Sequence, residues 1–223
     1  MKINIKTAKK LALKNSSNAS RGEETRRMIL DAATKVFAMR PYNAASIRMI
    51  ASQGEFYHGL IRYHFPNKAK IFETVVEEVC QNLRRENNEW LSEVSKLSAE
   101  KGLALYMDRF IEFFQNQPEV FRIIIQNISH DDPVSLPGYS HLVNVVTKTQ
   151  KDFEKTFKGL MPNNMVRRFL NSLNILIVHY LGAGTFEAEI MGMNPKSDEY
   201  LQWVKETILF IFLPVIKGMM PSD

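Results

Sequence analysis

Residues 46–68, Ser-Ile-Arg-Met-Ile-Ala-Ser-Gln-Gly-Glu-Phe-Tyr-His-Gly-Leu-Ile-Arg-Tyr-His-Phe-Pro-Asn-Lys, constrain this 223-residue chain more than any other stretch. Two short helical patterns flank a tight turn that contains Gly54. Isolated helices shorter than about 12–15 residues are marginal in water, so neither can stand alone and each must be held by neighbours. The second is crowded with side chains that contact phosphates and bases, and it ends in Tyr63, His64 and Phe65 followed by Lys68. A short helix of that composition, fixed at an angle by its predecessor, has the form of a helix that enters the major groove of DNA.

Charge distribution points the same way. Residues 1–70 hold 14 Lys and Arg against 4 Asp and Glu, a net of +10. The whole chain is +5, so residues 71–223 carry −5. A basic head on an acidic body favours a polyanion at one end only. Apolar content of 45% and charged content of 24% are those of a globular protein. The single cysteine, Cys80, allows no internal disulfide and suits a reducing compartment. The longest apolar run, from Ile208 to Ile216, contains Pro214 and falls short of the ~20 residues of a membrane span. Lys9, Lys10 and Lys14 interrupt any signal-peptide core, so a cytoplasmic location is expected.

Hydrophobic spacing predicts an all-α chain. Ile29, Ala33, Val36 and Phe37 mark one helical face between Gly22 and Arg40, and Pro41 stops it. Ser46 is placed to cap the next helix, whose buried stripe is Ile47, Ile50 and Ala51. Gly54 is expected to supply the turn, and Phe56, Ile61 and Phe65 the core contacts of the third helix. Beyond Lys68 the pattern is of long helices: Ile71 to Leu97, Lys101 to Gln117, one starting at Pro118, Tyr139 to Gly159, Met161 to Met191 and Ser197 to Met219. The expected domains are a basic, flexible arm at 1–20, a helix-turn-helix head at 21–69 and a body of roughly six helices at 70–223.

The segment from Phe37 to Ala51, and then Gly59-Leu60-Ile61-Arg62-Tyr63-His64-Phe65-Pro66-Asn67-Lys68, resembles the TetR family of bacterial transcription regulators. The match runs from Ile29 to Lys68 without insertion or deletion. Pro41 stands where that family usually has Gly, Gly54-Glu55 where it has Ala-Gly, and Tyr57 where it has Ser or Thr. The resemblance implies a three-helix DNA-binding head, a ligand-binding body, and a homodimer joined through its last two helices. A ligand-responsive repressor on a pseudo-palindromic double-stranded operator follows as the expected function. The alternative is a helical ligand- or partner-binding protein whose head no longer recognises DNA.

Groove geometry assigns roles to individual residues. His58 and Arg62 can donate to guanine, Leu60 can pack on a thymine methyl, and Gly59 permits close backbone approach. Tyr57, Tyr63, His64 and Lys68, with Ser46 and Arg48 on the preceding helix, read as phosphate contacts. For the effector, an apolar cavity lined by Phe110, Phe114, Phe121, Ile125, Phe169, Leu173 and Ile177 is expected, with Asn174, His179 or His141 orienting the ligand. Aromatics at this spacing also suit a packed core. Gly182, Ala183, Phe186, Ile208, Ile211 and Phe212 are the expected dimer contacts, because a helix apolar on every side needs cover on every side. An intramolecular core helix meets the same requirement. No cofactor, metal site or enzymatic activity is expected: the chain has no nucleophile elbow, no phosphate-binding glycine loop and no zinc-ligand pair on one helix. His130-Asp131-Asp132 reads as turn chemistry.

Overall fold

The structure, a computed structural model, describes residues 5–157 and 163–219. Residues 1–4 and the side chains of 5–20, which make up the expected arm, lie outside that description. The chain divides into two compact units, Met1–Val75 and Val76–Asp223. All regular structure among the described residues is helical.

The first unit comprises α1 (Ile5–Met39), α2 (Ile47–Gln53), α3 (His58–His64) and the opening turns of α4 (Lys68–Val94). Pro41 ends α1 as expected, and a 3₁₀ turn at Tyr42–Ala44 carries the chain into α2. Ile29, Ala33, Val36 and Phe37 of α1 are all buried against Ile50, Ile61, Phe65, Ile71 and Phe72. The Phe37 and Phe72 rings meet edge to face at 4.7 Å, and Tyr42 closes the cluster 4.7 Å from Phe72. Such pairs add about 0.5–1.5 kcal/mol beyond the area they bury.

The turn between α2 and α3 departs from the expectation. Gly54 caps α2 with φ −102°, a conformation open to any residue. The left-handed position is Glu55, at φ 56°. Its N–H donates to the Ser52 carbonyl at 3.4 Å and that of Phe56 to the Ala51 carbonyl at 2.8 Å. These are the two bonds of a Schellman motif, in which the residue after the cap is usually glycine. Here glycine sits one place early for a different reason. A Cβ on Gly54 would lie 2.0 Å from the Phe56 ring, which folds across the cap.

Lys68 closes the unit. Its Nζ donates to the carbonyls of Tyr42 at 2.8 Å and Ala45 at 3.0 Å, and it stands 4.1 Å from the Tyr42 ring centroid. The first residue of α4 thereby holds the turn from which α2 starts. Burial lowers the Lys68 pKa from its ordinary value.

The second unit packs the remainder of α4 with α5 (Ala99–Asn116), α6 (Pro118–Ile128), α7 (Tyr139–Thr156), α8 (Asn163–Gly182), α9 (Gly184–Ile190) and α10 (Asp198–Met219). Pro118 starts α6 as its missing N–H favours. Gly138, at φ 85°, turns the chain into α7. The single helix expected from Met161 to Met191 is two helices, bent 76° at Ala183. The glycines on either side explain the break. A Cβ on Gly182 would lie 2.8 Å from the Phe121 carbonyl of α6, and one on Gly184 would lie 2.7 Å from the Tyr200 hydroxyl of α10. Two neighbours therefore press in at adjacent turns. No single described helix is long and apolar enough to cross a membrane. The α8–α9 pair reaches that length only across its bend.

Three substitutions probe the head, each read by chemical unfolding. Glu55→Gly is expected to stabilise it by about 1 kcal/mol, because the left-handed strain disappears. Gly54→Ala is expected to cost about 1–3 kcal/mol as Phe56 is displaced. The reverse order would contradict the turn geometry. Lys68→Met should cost about 1–2 kcal/mol for the lost carbonyl bonds; an unchanged midpoint would show the latch to be idle.

Candidate functional site

Helix α3 is seven residues long, and its two anchors decide what it presents. Ile61 is fully buried and Phe65, the residue that caps its end, is 2% exposed. With that side pinned, Tyr57 and Tyr63 are each 84% exposed, and Leu60, Gly59 and Arg62 face outwards. His58 and His64 are half-buried, and the His64 ring meets Tyr63 edge to face at 5.1 Å. Arg26 of α1 lies over the inner side, 5.0 Å from the Phe65 ring. Seven of the expected contact residues, Tyr57 to Leu60 and Arg62 to His64, thus lie on one short helix and its cap.

Of the three remaining expected contacts, Ser46 and Lys68 have structural duties. Ser46 accepts the Met49 N–H at 3.3 Å and so caps α2, while Arg48 is exposed on that helix. Tyr57 occupies the cap of α3 without a side-chain hydrogen bond. Its ring folds towards Gly59, where a Cβ would approach to 2.9 Å. Lys68, expected at a phosphate, has two of its three N–H donors on the Tyr42 and Ala45 carbonyls. Tyr42, its partner, was not among the expected site residues. The signal available was an aromatic directly after the helix-stopping Pro41.

The body places the residues of the expected effector lining in different surroundings. Phe110, Phe121 and Ile177 are at most 5% exposed. Phe110 and Phe121 belong to a cluster of edge-on or tilted rings with Trp90, Tyr106, Phe113 and Phe114. Ile125 abuts Gly182, and Asn174 is half-buried outside the cavity lining. Phe114 borders a separate depression with Arg122 and Lys196. An apolar cavity of about 60 Å³ does exist, and of the expected residues only Phe169 and Leu173 line it. The others are Val94, Leu97, Gly102, Leu103, Tyr106, Phe153, Phe157 and Ile216, with Ser98 and Ala99. Sequence periodicity marks most of these as apolar helix positions but cannot say which face a void.

The expected dimer contacts also divide. Ile208 is fully buried and Phe212 is 4% exposed, so both are covered by this chain itself. The Phe212 ring meets Phe169 at 5.2 Å, and Trp203 meets Tyr180 at 5.4 Å. These pairs set α8 and α10 antiparallel. Gly182 serves the approach of α6, and Ala183 the bend. Phe186 at 65% and Ile211 at 39% are exposed, beside Ile175 at 62% and Phe210 at 82%. Among the described residues no group of three or more His, Cys, Asp or Glu gathers as metal ligands. Cys80 is buried, which pushes its thiol pKa up to about 12.

Residues 29–75 match the family model described as bacterial regulatory proteins, tetR family. No curated protein matches the chain. Solved structures share the fold across both units. A tetR-family transcriptional regulator from Streptomyces coelicolor is 15% identical, with a TM-score of 0.58 over 88% of this chain and 85% of its own. The fatty acid degradation regulator FadR from Bacillus halodurans is 15% identical, at 0.60 over 83% and 94%. NalD, the secondary repressor of the MexAB-OprM multidrug efflux pump in Pseudomonas aeruginosa, is 20% identical, at 0.55 over 90% and 97%. The head thus matches the tetR family's regulatory-protein model over residues 29–75, and the all-helical fold of both units is that of solved tetR-family transcriptional regulators.

Proposed function

We propose that the protein is a homodimeric repressor that binds a pseudo-palindromic operator and leaves it when a small molecule occupies the helical body. The observation that carries this reading is α3. Its exposed residues, Tyr57, Leu60, Arg62 and Tyr63, are held on one face by the burial of Ile61 and Phe65. Arg62 is the bidentate donor for guanine, Leu60 packs on a thymine methyl, and Tyr57, Tyr63 and Arg48 meet phosphate. Lys68 acts by positioning α2 through its two carbonyl bonds. NalD, similar in fold, is a repressor, which supports that sign of regulation.

Two heads need two copies. The outward face of the α8–α10 pair supports dimerisation there, with Ile175, Phe210, Ile211 and Val215 exposed on adjacent antiparallel helices. Burying an apolar side chain of this size contributes about 1.5–3 kcal/mol. The effector works by population shift: it must bind the state that does not fit DNA better than the state that does.

Selection of bound sequences from a random duplex pool tests the reading, with an enriched palindrome expected. Recovery of no common sequence would sink it. Arg62→Ala is expected to cost about 1–3 kcal/mol of discrimination at one base pair in each half-site. Lys68→Met should weaken binding without changing its salt dependence. A phosphate contact would instead lower the slope of affinity against salt by about one. Phe210→Glu is expected to give monomers in sedimentation and to lose tight operator binding; a stable dimer would place the interface elsewhere.

A further inference from the structure

Among the described residues, Tyr106 is the one polar side chain of the buried lining of the body's apolar cavity. It is 3% exposed and donates its O–H to Oδ1 of Asn87 on α4 at 2.6 Å. Asn87 is itself 3% exposed and is not part of the lining, and its Nδ2 has no hydrogen-bond partner. The pair holds three donors, one O–H and two N–H, and the bond between its members uses one. Turning the amide over would let Nδ2 donate to the tyrosine oxygen and free the tyrosine O–H. Either orientation leaves a buried donor without an acceptor, and such groups are costly to leave unmatched. Burial also raises the Tyr106 pKa, which keeps the hydroxyl protonated. Ser98, the remaining polar side chain of the lining, is at the exposed mouth with Leu97, and no charged side chain contributes to the wall.

We propose that the cavity takes a short uncharged chain or small ring bearing a carbonyl acceptor, as in a ketone, ester or lactone, and that the Tyr106 hydroxyl donates to it while the turned Asn87 amide donates to the tyrosine oxygen. This rests on reading the body as the effector-binding unit. A carboxylate or ammonium ligand would lose its hydration with no counter-charge in the wall. A plain hydrocarbon would fill the space and leave the donor unmatched. The volume of about 60 Å³ is roughly four to six times what one water occupies by the same measure. It therefore admits a handful of heavy atoms, and any larger ligand extends through the mouth.

Trp90, 5% exposed and with its ring 6.2 Å from that of Tyr106, reports on the pair. In a Trp203→Phe background, the full chain is titrated with 2-pentanone, pentane and pentanoate while Trp90 fluorescence is followed. One well-made hydrogen bond is expected to supply about a tenfold share of the ketone's affinity. Pentanoate is expected to bind most weakly. Tyr106→Phe, confirmed as folded by its unfolding curve, should weaken the ketone about tenfold and leave pentane unaffected, while Asn87→Leu, which leaves the Tyr106 O–H free to donate, should keep the ketone's affinity. Ketone affinity that survives Tyr106→Phe overturns the proposal. So does pentanoate binding equal to that of the ketone, or the absence of binding by every probe. Affinity for the selected duplex, measured on the same samples, separates this proposal from the reading beneath it. Ketone binding with unchanged DNA affinity removes the ligand-responsive switch and keeps the ligand class. Intact DNA binding with no ketone selectivity removes the ligand class alone.

Discussion

The seven residues of α3 cannot hold a helix by themselves, and everything that makes the head useful depends on what immobilises them. Ile61 and Phe65 are the two side chains that do so, buried against a core drawn from α1, α2 and α4. Because the helix is so short, two anchors at i and i+4 fix its rotation as well as its position. Arg62, Tyr63 and Leu60 then project outwards as a consequence of burial elsewhere. The Lys68 ammonium performs a related task at the other corner, tying the carbonyls of Tyr42 and Ala45 to the start of α4. A cation in a nucleic-acid-binding head is readily read as a phosphate contact. Here its geometry makes it first a fastener.

The turn between α2 and α3 shows how a motif can survive a displaced glycine. A Schellman ending needs a left-handed residue after the cap, and glycine adopts that conformation without strain. This chain places Glu55 there and moves glycine to the cap, where the Phe56 ring requires a residue without Cβ. Both hydrogen bonds of the motif are retained. The backbone course into α3 is thus preserved at a cost in local strain, and Phe56 provides packing in return.

In the body, aromatic residues divide between filling and lining. Phe110 and Phe113 pack on Trp90, and Phe113 and Phe114 on Phe121, in one ring cluster outside the apolar cavity. Tyr106 belongs to the same cluster yet borders the cavity, and it carries the hydroxyl that makes that cavity chemically selective. The bend at Ala183 has a similar logic. Gly182 and Gly184 are small because Phe121 and Tyr200 approach them, so their composition reflects contacts inside one chain.

Much of this was legible in the residues alone. Pro41, the cap at Ser46, the stripe from Ile29 to Phe37 and the proline start at Pro118 are local signals, set by backbone sterics and hydrogen bonding within a few residues. Such signals name helices and their ends without reference to anything distant. The face that α3 presents was legible too, since Ile61 and Phe65 are its apolar positions at helical spacing. What the tertiary structure decided were matters of long-range approach: that Lys68 reaches back 23 and 26 residues to two carbonyls, and that one helix becomes two at Ala183. It also decided that Ile208 and Phe212 are covered within the chain, and that Tyr106 rather than Phe110 borders a void. Periodicity reports that a side chain is apolar and which face it shares. Whether that face meets a neighbour, a cavity or solvent depends on where the other helices are.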